Sequence, residues 1–319
     1  MTGLPLKIHA FFKNGWFSES SAASGALMVT TGAILISFSA VFVKLAHVSP
    51  TVSGVYRTLI GGVVLLVIIF LRRESFWKGG FFFLIAVLLG FIFALDIYFW
   101  HKSIHFVGPG LATILANFQV FLLALFGVFV LGERLSTRTT LAFPMAFLGL
   151  FLLAGIHWGQ LGQNYKMGVF FGLAAAACYA AYLLVLRKLQ TLKNTPSPMA
   201  NLAVISLVSG VLLGILAWNR SESFLIPDLQ SFFSLGAYGV LSQVCGWLLI
   251  TNGLPHIRST LTGLIILLQP SLSFTWDILF FNRPTDLYGV IGAFIALAAI
   301  YLGTTVKRSK KSELEQSTD

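Results

Sequence analysis

The sequence predicts an all-α integral membrane protein with ten transmembrane helices arranged as two inverted repeats of five. Of its 319 residues, 57% are hydrophobic and only 10% are charged. A mean hydropathy of +0.87 is too high for a single soluble core and indicates a lipid bilayer as the main partner. A membrane helix takes about 20 mostly apolar residues, so ten of them occupy most of the chain and exclude a large soluble catalytic domain.

Ten apolar runs, separated by charged residues or by glycine and proline, are the candidate spans. They are 25–46, 51–71, 81–101, 108–131, 139–156, 168–189, 198–218, 232–252, 259–281 and 286–305. The fifth contains Pro144, which a membrane helix tolerates when its neighbours satisfy the freed carbonyl. Residues 1–24 lack a signal-peptide pattern and are expected, like the basic residues 306–319, to form a cytoplasmic tail.

The distribution of lysine and arginine predicts the orientation of the spans. Fifteen of these 21 residues fall on one side of the membrane, five fall on the other, and Arg57 lies inside a span. Because positive residues concentrate in the cytoplasm, both termini are expected there. The net charge of +10 is thus interpreted as a topology signal, and no nucleic-acid partner is expected.

The polar outer connection 157–167 separates two blocks of five spans, 25–156 and 168–305. Because five is odd, two like blocks must insert in opposite orientations. Inverted repeats are typical of secondary transporters, which hold a substrate near the midplane and alternate access by rocking one half against the other.

An offset of 150 residues aligns 108–154 with 258–304. Only five of these 47 positions are identical, but the register pairs two polar residues, Gln119 and Gln269, in the middle of their spans. This pairing supports the interpretation of the two blocks as repeats.

Three motifs at the end of the first block resemble an EamA repeat of the drug/metabolite transporter superfamily. They are Gly110-Leu-Ala-Thr-Ile-Leu-Ala-Asn-Phe-Gln-Val-Phe, Leu131-Gly-Glu-Arg-Leu-Ser and Gly149-Leu-Phe-Leu-Leu-Ala-Gly155. The second block resembles a weaker copy: it keeps Gln269-Pro270 but has Asn282-Arg283 in place of Leu-Gly-Glu-Arg, whereas the first block has Val120 at the proline position.

This resemblance implies a transporter of the cytoplasmic membrane, with spans 1 to 4 and 6 to 9 around a central cavity and spans 5 and 10 at the periphery. It also implies a small-molecule substrate. Export of amino acids or similar zwitterionic metabolites is the first expectation. An uptake carrier, an exchanger or a facilitator for another small metabolite is the alternative.

Four ionisable residues fall in the outer parts of the spans. By the helical rise, Arg57 lies about 9 Å from the span end, Asp96 about 7 to 8 Å, Asp277 about 6 Å and Lys44 about 3 Å. Such residues predict a gate whose ion pairs, above all Arg57 with Asp96, form and break, with a coupling proton on either carboxylate. The alternative is a static pair that orients helices, and for Lys44 snorkelling to the surface is preferred.

A deeper set of uncharged polar residues, about 13 to 20 Å from the span ends, predicts a cavity for a neutral or zwitterionic substrate. Its members are Asn117, Gln119, Tyr179, Tyr182, Gln243 and Gln269. Helical spacing adds Ser273 and Trp276 to the face of Gln269, Trp247 to that of Gln243, and Trp100 to that of Asp96. Packing of helices by these amides and tyrosines is the alternative. Asn117 and Gln119 face different ways, so only one is expected to line the cavity.

Other functional classes lack the residues that they require. No metalloprotease, hydrolase or phosphate-loop motif is present, so no catalytic residue, cofactor or metal site is expected. An intramembrane enzyme with Asp96 and Asp277 as a carboxylate dyad is a remote alternative. Cys178 and Cys245 lack the spacing of a disulfide or zinc site, and His101 is assigned to the outer connections. A monomer or a homodimer is expected.

Overall fold

The computed structural model describes residues 22–75, 78–131, 137–155, 159, 162–190, 192, 195–253, 256–257 and 265–304. In these residues the chain is helical and contains no β-strand. The predictions for residues 1–21, for the loop 132–134, for the start of the ninth span at 259–264 and for the tail 306–319 lie outside the described residues.

The described α-helices are numbered in chain order. They are α1 (Ala22–Ser37), α2 (Ser39–Leu45), α3 (Pro50–Arg72), α4 (Gly80–Val107), α5 (Pro109–Ala116), α6 (Gln119–Leu131), α7 (Thr137–Leu150), α8 (Gln163–Gln190), α9 (Pro198–Asn219), α10 (Leu229–Ala237), α11 (Trp247–Gly253), α12 (Leu268–Phe281) and α13 (Leu287–Thr304). Two π-helical stretches add to them: Phe151–Gly155 continues α7, and Tyr238–Gly246 joins α10 to α11.

In the described residues these helices correspond to the ten predicted spans. Span 1 consists of α1 and α2, span 4 of α5 and α6, and span 8 of α10, the π-helix and α11. Seven spans are long and apolar enough to cross a membrane, and two shorter apolar helices, Thr137–Leu153 and Leu287–Leu302, form spans 5 and 10. Helix α12 is the described part of span 9, and Pro144 lies inside α7 as expected.

Contacts between the two halves follow a two-fold pattern. Span 3 packs on span 6 as span 8 packs on span 1, and span 4 packs on span 6 as span 9 packs on span 1. Span 3 likewise packs on span 7 as span 8 packs on span 2. Spans 2 and 7, 4 and 9, and 5 and 10 pack on each other and are their own counterparts. Two like blocks in opposite orientations produce this pattern.

The two ends of spans 2 and 7 show the same symmetry in atomic detail. Helices α3 and α9 each begin with a Ser-Pro pair, at Ser49 and Ser197, whose side chains cap the helix by accepting a backbone N–H three residues on. Each span ends at a left-handed residue other than glycine, Arg73 or Ser221, with φ 53° in both. These matching residues are 148 positions apart in the sequence.

A glutamate follows each left-handed residue and joins the two spans. Ser49 donates its hydroxyl to Glu222, which also accepts from Thr51 Oγ1 at 3.1 Å; we name this contact the first clasp. Ser197 Oγ donates to Glu74 Oε2 at 2.9 Å, which forms the second clasp. Because the two clasps join opposite ends of the same pair of helices, they lie at opposite faces of the bundle.

Candidate functional site

A cavity of about 110 Å³ lies between the two halves. Spans 1, 2, 3, 4, 6, 8 and 9 contribute to its wall. Its lining residues are Ile36, Ser37, Ser39, Ala40, Arg57, Phe93, Asp96, Trp100, Thr113, Ala116, Asn117, Tyr179, Trp247 and Gln269. The wall therefore combines apolar and aromatic side chains with a few polar groups, as ligand sites usually do.

Irregular backbone brings several of these groups to the cavity. Span 1 is interrupted at Phe38, so Ser37 and Ser39 flank the break, and span 4 is interrupted at Asn117 and Phe118. Span 8 widens into the π-helix Tyr238–Gly246 beside the same cavity. Non-helical backbone at membrane depth is tolerated where it lines a cavity or is buried in protein, and π-helical turns are frequent at functional sites.

Arg57 lines the cavity, and two hydrogen bonds to neighbouring side chains hold its guanidinium group. The residue is 6% exposed; its Nε donates to Gln243 Oε1 at 2.8 Å, and its Nη1 donates to the Tyr238 hydroxyl at 2.7 Å. The guanidinium carbon lies 4.8 Å from the ring centroid of Tyr238, 5.7 Å from that of Phe93 and 5.8 Å from that of Trp100. Nη2 forms no hydrogen bond with the described residues, so it remains available to a ligand.

A second layer of hydrogen bonds fixes the partners of Arg57. Gln243 Nε2 donates to Ser206 Oγ at 3.1 Å. His101 is fully buried, with Nδ1 2.9 Å from the Pro50 carbonyl oxygen and Nε2 2.8 Å from the Tyr238 hydroxyl. Because a carbonyl oxygen only accepts, Nδ1 carries the hydrogen and Nε2 accepts from Tyr238. The assignment of His101 to an outer connection was therefore wrong.

Asp96 lines the same cavity but forms no hydrogen bond or ion pair with the described residues. The structure thus does not contain the expected Arg57–Asp96 ion pair; instead the neutral side chains of Gln243 and Tyr238 accept from Nε and Nη1 of Arg57. It also does not separate an outer charged layer from a deeper uncharged layer, since both residues share one cavity with Asn117.

Three further donors in the cavity wall have no partner. The hydroxyl of Ser39 and the indole N–H groups of Trp100 and Trp247 are buried and form no hydrogen bond with the described residues. Buried polar groups in native proteins are nearly always hydrogen-bonded, and an unsatisfied group costs about 1 to 3 kcal/mol. The described residues therefore leave the hydrogen-bonding capacity of these three groups in the cavity wall unused.

Seven of the residues predicted from the sequence line this cavity: Arg57, Asp96, Trp100, Asn117, Tyr179, Trp247 and Gln269. Gln119 does not line it; its Oε1 is buried without a hydrogen-bond partner among the described residues. Of the two amides of span 4, only Asn117 therefore lines the cavity.

Four predicted residues support the wall from outside. Gln243 holds Arg57, and Tyr182 packs with its ring centroid 5.4 Å from that of Phe93. The hydroxyl of Ser273 lies 3.0 Å from that of Thr113. Trp276 Nε1 donates to Ser37 Oγ at 3.0 Å, and its ring stacks on Phe38 at 4.7 Å.

Asp277 lies away from the cavity in a separate ion pair. Its Oδ2 accepts from Arg283 Nη1 and from the backbone N–H of Gly110, both at 3.0 Å. Arg283 Nη1 also donates to the Val107 carbonyl at 2.7 Å, so the pair fastens α12 to the turn between α4 and α5. We name this group the elbow pair. Asp277 therefore pairs with Arg283 and does not line the cavity that contains Asp96.

Lys44 lies near the end of α2 and is half-buried. It does not line the cavity and forms no hydrogen bond or ion pair with the described residues. Snorkelling to the surface stays the preferred interpretation.

Some functional residues escaped the sequence reasoning. Phe93 precedes Asp96 and Trp100 at helical spacing, so the periodicity of span 3 contained a signal for it. Ser37 and Ser39 reach the cavity only because span 1 is broken at Phe38, which hydropathy does not reveal. Tyr238 shows no pattern that distinguishes it from a packing residue.

Comparison with known proteins gives consistent matches. The model of the EamA-like transporter family matches residues 23–155 and 166–305. Two similar proteins of Bacillus subtilis (strain 168) bear the names Uncharacterized transporter YwfM and Uncharacterized transporter YvbV. YwfM is 23% identical over 277 residues, covering 83% of this chain and 88% of its own. YvbV is 22% identical over 275 residues, covering 84% and 87%.

One solved crystal structure shares the fold with a TM-score of 0.64 at 19% identity. The match covers 89% of this chain and 99% of the other chain. Together with the two matched repeats, it agrees with the ten-helix architecture of two five-helix blocks.

Proposed function

Because the chain belongs to the EamA-like transporter family, we propose that it exports amino acids or similar small zwitterionic metabolites by alternating access. Its relatives are named transporters, which argues for transport rather than catalysis. The observation that carries the substrate class is the cavity with one unpartnered acid, Asp96, and one base with a free donor, Arg57.

An amino acid complements this arrangement at both ends. Its carboxylate accepts from Arg57 Nη2 and from the unpaired donors of Trp100 and Trp247, since guanidinium and carboxylate form strong charge-assisted hydrogen bonds. Its ammonium group pairs with Asp96 and lies against aromatic rings such as that of Tyr179, which favour cations. Ile36, Ala40 and Phe93 provide apolar surface for the side chain.

Asp96 also offers a route to proton coupling. The ammonium group needs the ionised carboxylate, and a proton on Asp96 removes that charge. Proton and substrate therefore compete for one group, which is the requirement for antiport. With both termini in the cytoplasm and the protein in the cytoplasmic membrane, as the positive residues and the family resemblance imply, an inward proton gradient then drives export.

Counterflow in liposomes tests this function. Purified protein is reconstituted with unlabelled leucine inside, and entry of external labelled leucine is followed. Accumulation that depends on internal leucine supports the proposal, and stimulation by an opposing pH gradient supports antiport. Counterflow of nucleotides with none of leucine, in protein shown to be folded, contradicts it.

A further inference from the structure

We infer that Tyr238 and His101 are positioning residues that keep Arg57 apart from Asp96, so that each charge faces one end of the substrate. This inference rests on the proposed function. Opposite charges in a medium of low dielectric constant attract strongly, yet Arg57 and Asp96 line one cavity without forming an ion pair.

A chain of hydrogen bonds with a fixed donor and acceptor at each step holds Arg57 in place. The carbonyl of Pro50 accepts from His101 Nδ1 at 2.9 Å, which leaves Nε2 as an acceptor for the Tyr238 hydroxyl at 2.8 Å. The hydroxyl hydrogen of Tyr238 is thereby used, and its oxygen is free to accept from Arg57 Nη1 at 2.7 Å. A tyrosine without His101 has no such fixed orientation.

The chain of bonds therefore connects a fixed backbone carbonyl at the start of α3 to the guanidinium in the cavity. All three side chains are buried, so water does not compete for these bonds from outside. Gln243 holds the Nε of Arg57 from the other side at 2.8 Å. With Nε and Nη1 occupied, Nη2 is the group left for the substrate carboxylate, and Asp96 is left for the ammonium.

Tyr238→Phe removes only the hydroxyl and tests this role. The measurement is the ratio of inhibition constants of leucinamide, which lacks the carboxylate, and leucine in counterflow. In the wild type leucinamide binds much more weakly. In Tyr238→Phe, Arg57 turns to Asp96 and the ratio falls by about tenfold, equivalent to about 1.4 kcal/mol.

The controls separate positioning from a loss of folded protein. Tyr56→Phe removes the hydroxyl of a half-buried tyrosine that donates to the Phe224 carbonyl at 2.7 Å, away from the cavity, and should leave the ratio unchanged. His101→Leu should lower the ratio as Tyr238→Phe does, and His101→Gln, which retains an acceptor, should restore part of it. An unchanged ratio in both Tyr238→Phe and His101→Leu overturns the inference.

A substrate-free readout distinguishes this failure from failure of the proposed function. A structure of Tyr238→Phe should place the Arg57 guanidinium within ion-pair distance of the Asp96 carboxylate. If Arg57 stays on Gln243, the inference is wrong even where leucine is transported. If Arg57 moves to Asp96 and leucine is not transported, the positioning role is supported and the proposed substrate class is wrong.

A different observation carries a second inference: we propose that spans 2 and 7 form a fixed axis about which the other spans rock. The two clasps join these spans at both faces at once. Between the clasps, a Cβ on Gly62 would lie 2.8 Å from Leu207 Cγ, and a Cβ on Gly210 would lie 2.5 Å from Leu59 Cδ2. Both contacts join residues that are related by the same offset of 148.

The symmetry of the contact between spans 2 and 7 indicates that it does not change during transport. When inverted repeats alternate access, each half takes up the conformation that the other half had. A pair that is already symmetric in one structure is unchanged by that exchange. Spans 1 and 8 are not symmetric with their counterparts: span 1 is broken at Phe38 while α8 is continuous, and span 8 contains a π-helix while α4 does not. The motion is therefore expected in those spans.

Disulfide crosslinking tests the axis, in a background where Cys178 and Cys245 are replaced by alanine. Closing both clasps with Ser49→Cys, Glu222→Cys, Ser197→Cys and Glu74→Cys should leave leucine counterflow within about twofold of the reduced protein, a change of about 0.4 kcal/mol in barrier. Loss of transport that a reductant restores identifies the clasps as gates and overturns the proposal.

A matched crosslink lies on the same face as the first clasp. His47 Nδ1 is 2.7 Å from Asp228 Oδ2, and this contact joins the end of span 1 to the start of span 8. His47→Cys with Asp228→Cys should block transport. Pulsed electron paramagnetic resonance needs no substrate: spin labels across each clasp should show a single distance, and two populated distances there contradict a fixed axis.

Discussion

This protein contains two couples of one arginine and one aspartate, of which one forms an ion pair and the other does not. Asp277 Oδ2 and Arg283 Nη1 are 3.0 Å apart, and each also bonds to the backbone of the turn between α4 and α5, so the elbow pair fastens helices. Arg57 and Asp96 share a cavity without pairing, because neutral side chains hold the guanidinium back. The hydrogen-bond neighbours of an intramembrane charge, rather than its presence, therefore decide whether it binds a substrate or fastens helices.

The largest effect is expected from removing the two charges that line the cavity. Arg57→Ala and Asp96→Ala should each reduce leucine transport by at least about a hundredfold, equivalent to about 2.7 kcal/mol. Arg57→Lys should also fail, because an ammonium group cannot donate to Gln243 and Tyr238 in the same fork. Counterflow measures the loss, and the amount of protein in the membrane serves as the control. Near-normal transport by both alanine variants removes Arg57 and Asp96 from the site.

Removing one member of the elbow pair should have the opposite profile. Asp277→Asn leaves Arg283, whose side chain is 12% exposed, without its counter-charge, and breaking a buried pair in this way typically costs about 3 to 5 kcal/mol of stability. The protein that still folds should transport leucine normally. Thermal unfolding in detergent measures the loss of stability, and the double variant Asp277→Leu with Arg283→Leu should recover part of it. A stable but inactive Asp277→Asn variant would contradict the assignment of the elbow pair to stability rather than to transport.

The turn next to the elbow pair predicts a smaller effect. Gly108 has φ 86°, and a Cβ there would lie 2.6 Å from Asp277 Oδ2. Gly79 has φ 113° with no other atom within 4 Å. Gly79 has ψ 161° and Gly108 has ψ 163°, and this combination with positive φ is essentially restricted to glycine. Gly108→Ala and Gly79→Ala therefore both impose about 1 to 3 kcal/mol of backbone strain, but only the first disturbs the ion pair. Gly108→Ala should therefore lower the melting temperature further. Equal losses would show that the elbow pair tolerates the intrusion.

The smallest effect is expected for the exposed pair of Asp228 with His47. The backbone N–H of Ser231 and the side chain of His47 lower the pKa of Asp228 below its ordinary value. A lowered pKa stabilises the folded state above the ordinary pKa, and this contribution is lost as the pH falls through the lower value. Asp228→Ala should thus lower the melting temperature slightly at pH 7 and less at pH 3. A larger loss at pH 3 contradicts the assignment.

The fold was predictable because apolar runs, together with the charged residues, glycines and prolines between them, indicate the number of spans. The prediction of an EamA-type membrane transporter with ten helices is confirmed by the matched family and by the shared fold. The symmetry of the clasps was not predictable from identity, because Ser49 and Ser197 are followed by largely different residues. What the repeats share there is hydrogen bonding and backbone conformation, which different side chains can provide.

The cavity was predictable in part, since Asp96, Asn117 and Gln269 stand out in apolar spans. Its geometry was not. Whether Arg57 pairs with Asp96 depends on Gln243 and Tyr238, which approach Arg57 from a span more than 180 residues away. The break at Phe38 depends on neighbours that satisfy the freed backbone, and this is a property of the packed bundle.

In the proposed function, Arg57 and Asp96 bind the two ends of one zwitterion. Competition in leucine counterflow tests it most directly, with isopentylamine as leucine without its carboxylate and 4-methylpentanoate as leucine without its amine. We expect unlabelled leucine to compete and neither analogue to do so at equal concentration. Competition by either analogue as strong as that by leucine would show that one of the two charges makes no contact with the substrate, and would contradict the claim.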